Sequence, residues 1–321
     1  MKLHLETKLF NQAIQFTADI MNIPAIYVEK DYWITYALYT IFHSHIAQEV
    51  VFKGETSLSK CYQLIDRFSE DIDLVILKNE NDNANQLKRK LKVISHIVGE
   101  VLPEITVEGL TNKKGTNRKT VHTYDKFFQG DYGQVRRNLV IEATCLGYFE
   151  PYTEKEICSF VGKMMMDNQQ IDIAKNYDLL PFNVQVLEPT RTLCEKIMSL
   201  IRFSYSEDPV TSLKNKIRHI YDLNQLLLEE EFLNFLYSHY FDDMLKTVAK
   251  EDVKSFKNNN QWLKYHPVKA LIFNDPTNVW KYLQPVYKKE FSLLVYGKLP
   301  DEKQLLVTLL LLKKRLDKIK W

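Results

Sequence analysis

The chain has 321 residues, of which 45% are hydrophobic and 26% charged, and its formal net charge is +2. That balance belongs to a globular protein with a real core, sized for one large domain or two ordinary ones, and the near-neutral total gives no general pull toward nucleic acid. Only nine residues are glycine, and none of them completes a GxG or a GxxxxGK, which excludes the usual dinucleotide fingerprint and the P-loop and favours a helix-rich chain.

Residues 6 to 47 read as helices broken at Pro24, with the second running from Val28 to Phe42. Val50-Val51-Phe52 is a short β-branched and aromatic run that ends at Lys53-Gly54, so it is expected to be a strand followed by a turn. Leu58, Tyr62 and Ile65 recur at helical spacing and predict a short helix. Asp71 to Leu77, DIDLVIL, alternates at its start and then turns wholly apolar, which suits a strand buried on both faces with a polar end at a surface. A helix is expected from about Asn83 to Val98, stopped by Gly99. Strands are expected at Ile105–Val107, Val121–Phe128 and Val135–Leu146, the last two forming a hairpin around Gly130 and Gly133. Beyond Leu187 the pattern is helical: Pro189 opens a helix to about Phe203, residues 204–209 form a loop, and a second helix covers Ser212 to Leu228. The composition shifts near residue 185, so two domains are expected, 1–185 mixed and 186–321 helical, with a cleft between them.

Cys61, Cys145, Cys158 and Cys194 form no CxxC, and the histidines form no HExxH. Reduced thiols and no zinc site follow from that. The opening MKLHLETKLF carries Glu6 and no long apolar stretch, so it is not expected to be a signal peptide, and the apolar run Leu305–Leu312 is too short to span a bilayer. A cytoplasmic location without a membrane partner is expected.

One segment concentrates chemistry: VFKGETSLSKCYQLIDRFSEDIDLVIL, from Val51 to Leu77. A strand delivers Gly54 to a tight turn, and Thr56 and Ser57 open a helix whose free N–H groups and hydroxyls suit an anion. The chain then returns to Asp71-Ile72-Asp73 at the start of the next strand. Period two puts Asp71 and Asp73 on one face with Cα atoms roughly 6.6 Å apart. Two such carboxylates repel each other unless a cation lies between them, and hard oxygen ligands suit Mg²⁺. A metal beside a bound phosphate is the layout of phosphoryl or nucleotidyl transfer. Glu142, in the apolar run Leu139 to Thr144, is a candidate third carboxylate; the other reading is an outward strand residue paired with Arg136 or Lys119.

The run KGETSLSKCYQLIDRFSEDIDL resembles the nucleotidyltransferase motif of the AbiEii/AbiGii toxin family, with its GGTSL-type start and RxSxDIDL end. Val28 to Ile34 resembles that family's EKDYW helix, and the stretches Glu188–Ile197 and Lys216–Leu223 resemble its later Lys and RHxYDL signatures. The resemblance implies an α+β fold: a polymerase-β-like nucleotidyltransferase core with a mixed sheet, plus a C-terminal helical lobe. It implies that Lys53, Gly54, Thr56, Ser57 and Ser69 serve nucleotide binding, that Asp71 and Asp73 bind Mg²⁺ or Mn²⁺, and that Lys196 and Asp222 complete the catalytic set from the helical part. Physically, Lys196 would neutralise triphosphate charge, while Asp222 would orient Lys196, bind metal or act as base; the plain structural alternative is an Arg218–Asp222 pair at i, i+4. Where the family has a second glycine this chain has Glu55, a charge that would repel nucleotide if it faced inward.

The activity implied is transfer of NMP from an NTP to an RNA acceptor, with tRNA and its 3′ end expected, by the toxin of a toxin–antitoxin or phage-defence pair with a separate antitoxin protein. A metal phosphodiesterase or nuclease, and a nucleotide-binding protein that has lost catalysis, are the alternatives.

Overall fold

Pro24 caps the second helix at its N-terminus, so the first two helices are α1 (Thr7–Met21) and α2 (Ala25–Phe42). The structure is a computed structural model and describes every residue except 114–116, 134, 146–150 and 256–260. The chain divides into two compact units, one of Met1–Gln63 with Phe68–Leu187 and one of Leu64–Arg67 with Glu188–Trp321.

The first unit is built on a mixed seven-stranded sheet in the order β3-β4-β5-β2-β1-β7-β6. Its strands are β1 (Val50–Lys53), β2 (Asp71–Ile76), β3 (Glu104–Ile105), β4 (Asn117–His122), β5 (Leu139–Thr144), β6 (Tyr152–Ile157) and β7 (Phe182–Leu187). The two strands that carry the motif, β1 and β2, pair antiparallel at the centre, β5 runs parallel beside β2, and β7 runs parallel beside β1. Helix α3 (Gly54–Lys60) leads off β1, and α4 (Ala84–Gly99) starts at Asn83, whose side chain closes a capping box with Gln86. Two further helices, α5 (Phe160–Asp167) and α6 (Ile171–Asn176), precede β7.

Several expectations shift. Helix α3 ends at Lys60: Gln63 takes a left-handed φ of 53°, so Tyr62 and Ile65 lie in irregular chain despite their helical spacing. β2 is not buried on both faces; Ile72, Leu74 and Ile76 are buried while Asp71, Asp73 and Val75, on the other face, are only partly so. The third expected strand shrinks to Glu104–Ile105, and the fourth starts upstream at Asn117 and stops at His122. β4 and β5 do pair antiparallel, through a long connection; Leu146, the expected end of β5, lies outside the described residues. The second helix after Pro189 is two, broken at residues 215–216. β6 and β7 were not expected at all.

Helix α2 is buried almost all round, charged residues included. Each charge is answered from elsewhere in this unit. Glu29 Oε1 accepts from the Phe127 N–H at 2.7 Å, Asp31 accepts from Lys60 Nζ at 2.5 Å and from the Phe160 N–H at 2.7 Å, and Lys30 pairs with Glu70. The Glu-Lys-Asp of the EKDYW stretch is therefore a brace between α2, α3 and the chain entering β2 and β5.

The second unit is helical: α7 (Pro189–Phe203), α8 (Pro209–Lys214), α9 (Ile217–Leu228), α10 (Glu230–Tyr237), α11 (His239–Ser255), α12 (Leu271–Asn274), α13 (Pro276–Val286) and α14 (Glu302–Leu316). Leu305, Leu309, Leu312 and Leu316 form the buried stripe of α14 at helical spacing, with Val307 and Leu310 left exposed. Among the described residues no helix is long and apolar enough to cross a membrane.

Candidate active site

β1 ends at Lys53, and Gly54 turns the chain into α3 with φ +81°, a conformation that glycine adopts freely. Space demands glycine as well: a Cβ at residue 54 would stand 2.3 Å from Asp73 Oδ2. The Gly54 backbone thus lies directly against the Asp73 carboxylate. Thr56 Oγ1 donates to the Asp71 carbonyl at 2.6 Å and bonds the Ser69 hydroxyl at 2.9 Å, while Ser57 Oγ donates to the Gly54 carbonyl at 2.8 Å. These hydroxyls, which the sequence directs at a ligand, tie the start of α3 to the start of β2 and close the turn. Helix α3 has seven residues, so its dipole is short.

The face of β2 that carries Asp71 and Asp73 continues onto its neighbours. Lys53 stands opposite Asp73 across the antiparallel pair, and Glu142 of β5 is in register with Asp73 on the other side. Residues in direct register project to the same side of a sheet. Three carboxylates therefore share this face. The outer two have cations of their own: Arg136 Nη1 bonds Asp71 Oδ1 at 2.7 Å, and Glu142 accepts from Lys119 Nζ at 2.9 Å and from Asn117 Nδ2 at 2.7 Å. Burial works to raise the Glu142 carboxyl, but the Lys119 charge and the two hydrogen bonds outweigh it and hold the group below its ordinary range. Of the two partners the sequence offered for Glu142, Lys119 is the one found. Asp73, in the middle, behaves in the opposite way. Burial first, then the charges of Asp71 and Glu142, push it up to about 8; Lys53 pulls it back in part, and Glu55 adds to the rise. A carboxylate crowded this way marks a place short of positive charge, and its hard oxygen donors fit Mg²⁺ or Mn²⁺.

Sequence reasoning missed the apparatus behind Arg136. Glu70, only 3% exposed, accepts from the Arg136 backbone N–H with both oxygens at 2.9 Å and from its Nη1 at 3.3 Å. Lys30, fully buried, donates to Glu70, to the Arg136 carbonyl and, at 3.1 Å, to the Asn138 carbonyl. A buried Lys–Glu pair thus grips residue 136 by both its N–H and its C=O. No local pattern announces this, because the partners lie 40 to 108 residues apart.

In the second unit, Asp222 and Lys196 meet. Lys196 Nζ sits 2.6 Å from Asp222 Oδ2. Arg67 closes the group, donating from Nε to Oδ1 and from Nη2 to Oδ2, both at 2.7 Å. All three side chains are buried. One carboxylate between two cations, with the fork of Arg67 taking both oxygens, is a rigid arrangement. Asp222 is held by this buried triad and not by the Arg218 pairing that helical spacing offers. Arg67 was visible only as the Arg of the RxSxDIDL end, without a role.

The comparisons with known proteins fall on this ground. No curated protein matches the chain. Among solved structures, MenT4, a nucleotidyltransferase toxin from Mycobacterium tuberculosis H37Rv, is similar at 15% identity over 93% of this chain and 98% of its own, with a TM-score of 0.47. The family described as nucleotidyl transferase AbiEii toxin, type IV TA system, matches residues 36–291. That range leaves out the brace residues 29–31 but takes in the Gly54 turn, β2, Lys196 and Asp222. With most of its length inside the match, the chain belongs to the AbiEii family of nucleotidyltransferase toxins from type IV toxin–antitoxin systems.

Proposed function

We propose that this nucleotidyltransferase moves the NMP of a nucleoside triphosphate onto the 3′ end of an RNA, with tRNA as acceptor, in a reaction that depends on Mg²⁺ or Mn²⁺. Membership of the family implies an NTP substrate and an antitoxin partner; the acceptor, the metal and the residue roles are this reading's own. The observation that carries it is the shared face of Asp71 and Asp73 with the glycine turn pressed against Asp73.

In this reading Asp71 and Asp73 hold the cation. Among the described residues of the first unit, no three acid, histidine or cysteine side chains come within 4.8 Å of one another at their ligand atoms. Two carboxylates with the remainder from water and substrate phosphate is the way Mg²⁺ is commonly bound. When bound, the metal would offset charge on the α-phosphate and favour ionisation of the attacking hydroxyl. Glu142 lies on the same face with both oxygens engaged, so it tunes Asp73 electrostatically and would become a ligand only by giving up Lys119 or Asn117. Lys53 is the cation of the turn. Gly54 lets the backbone turn against the Asp73 carboxylate, and Thr56, Ser57 and Ser69 fix the shape of that turn. The family resemblance gives Lys196 the part of offsetting triphosphate charge and Asp222 that of orienting it, and within the second unit Asp222 does hold Lys196 Nζ at 2.6 Å. A reducing, cytoplasmic setting is consistent with free cysteines at 61, 145, 158 and 194.

The test is incubation with each labelled NTP, Mg²⁺ and total tRNA. Pyrophosphate release with lengthened RNA supports the reading. Shortened RNA would point to a phosphodiesterase, and NTP binding without turnover to a protein that has lost its chemistry.

A further inference from the structure

A fully buried Lys–Glu pair is an expensive way to gain stability, since the desolvation of both charges offsets most of their attraction. Lys30 and Glu70 are such a pair, and their remaining hydrogen bonds go to the backbone of residues 136 and 138. What this fixed backbone presents is the Arg136 guanidinium, 38% exposed, bonded to Asp71 at 2.7 Å. One of the two carboxylates assigned above to the metal therefore already carries a cation, held there by a platform of two buried charges. Arginine suits the post: one nitrogen, Nη1, reaches both Glu70 and Asp71 while the side chain keeps some exposure to solvent.

We propose that Arg136 is a built-in counter-cation for Asp71, a latch that an entering metal ion must displace and that then turns to the phosphates of the nucleotide. This inference rests on the reading of Asp71 and Asp73 as the metal site. Its logic is charge balance. Before the metal arrives, Arg136 neutralises Asp71, as Lys119 neutralises Glu142. A divalent ion on Asp71 repels the guanidinium, and the nearest new anion is the triphosphate that comes with the metal. Metal and nucleotide thereby become thermodynamically coupled through one side chain: each makes room for the other, and by linkage the effect is reciprocal. Arg136 is a positioning and coupling residue in this scheme, with no bond made or broken on it.

The test is Mn²⁺ binding, followed by electron paramagnetic resonance, on the full chain as wild type, Arg136→Gln and Arg136→Lys, without nucleotide and with a non-hydrolysable NTP analogue. A partly exposed ion pair that must be broken lowers affinity by about twofold to fivefold. Arg136→Gln is expected to bind Mn²⁺ tighter than wild type by that factor in the absence of nucleotide, and to gain less from the analogue. Arg136→Lys should fall between the two. A merely structural role for Arg136 would give the opposite sign, since loosening Asp71 weakens a metal site. Equal or weaker Mn²⁺ binding by a folded Arg136→Gln protein overturns the proposal. Should that variant not fold, the wild type answers with Arg136→Lys as its assignment control: the Arg136 Nε–H resonance, absent in Arg136→Lys, should shift on Mg²⁺ titration of the wild type, and an unmoved resonance at saturating Mg²⁺ overturns the latch. Failure of the underlying reading looks different, because then wild type binds no Mn²⁺ in any condition, and the latch falls with the metal site.

Discussion

Replacing Asp73 by Asn removes one negative charge from a crowded face and keeps the side chain's size. The stability consequence can be worked out from the site. Asp73 is pushed from an ordinary 3.8 up to about 8 by burial and by Asp71 and Glu142. A group whose pKa is raised on folding holds more protons folded than unfolded, so its contribution to stability is present at low pH and is lost as pH climbs from about 4 to about 8. At pH ~7.5, about 1.4 kcal/mol per pH unit over that span gives a ceiling of about 5 kcal/mol. Water reaching a partly buried carboxylate and local rearrangement reduce this, and about 1–3 kcal/mol is the expected gain for Asp73→Asn in chelator. That corresponds to a melting point raised by about 1.5–4.5 °C for a chain of this size. The assay is thermal unfolding of both proteins between pH ~5 and ~8, in chelator and in Mg²⁺. The advantage of the variant should be small near pH ~5, grow toward pH ~8, and shrink when Mg²⁺ is added, because only the wild type has a carboxylate there for the ion to neutralise. An Asn variant that melts below wild type at pH ~7.5 in chelator, or a difference indifferent to pH, refutes the electrostatic account of this face.

The same chemical change in the other unit should have the opposite sign. Asp222→Asn leaves Arg67 and Lys196 buried without their shared counter-charge, and about 3–5 kcal/mol of stability should be lost, read as a lower urea midpoint; a midpoint within error of wild type would show the triad is not the anchor described. Lys30→Met strips Glu70 of its fully buried cation and leaves it only the Arg136 guanidinium, at 3.3 Å. It should cost a similar amount, about 3–5 kcal/mol, and unchanged unfolding would contradict the platform. Gly54→Ala must place a Cβ at 2.3 Å from Asp73 Oδ2 on a backbone of φ +81°. Transfer activity should drop at least about tenfold, with about 1–3 kcal/mol of strain to relieve, and full activity would mean that the turn does not shape the site.

What could be read from the sequence follows from how local each signal is. Asn83 and Pro189 mark helix starts by chemistry that acts within one turn, and α4 and α7 begin where those residues put them; Pro24 separates the first two helices as expected, but α2 resumes at Ala25 and not at Val28. The shared face of Asp71 and Asp73 was equally legible, because strand periodicity needs no partner. β6 was not, since Tyr152 to Ile157 is half charged and mostly exposed, as an edge strand can be. β7, Phe182 to Leu187, does alternate, but a helical pattern taken to begin at Leu187 hid it. α3 stops where Gln63 turns left-handed, which no apolar spacing reveals. The charges that organise the acids were out of reach for a simpler reason. Arg136 lies 65 residues from Asp71, and Arg67 lies 155 residues from Asp222. Sequence exposes a cation's existence, but only the fold chooses which acid it serves. The residues it left without a role, Lys30, Arg67 and Glu70, and Arg136, which it offered only to Glu142, are those whose partners come from distant segments.

The central claim is nucleotidyl transfer by the face that carries Asp71 and Asp73, and the position of the label tests it most directly. RNA incubated with wild-type protein and Mg²⁺ should acquire radioactivity from NTP labelled at the α-phosphate and none from NTP labelled at the γ-phosphate. Folded Asp73→Asn should transfer at least about 100-fold less, the scale expected when a group that stabilises transition-state charge is lost. Label arriving from the γ-phosphate would make the protein a phosphotransferase, and undiminished α-label with Asp73→Asn would remove that face from the chemistry.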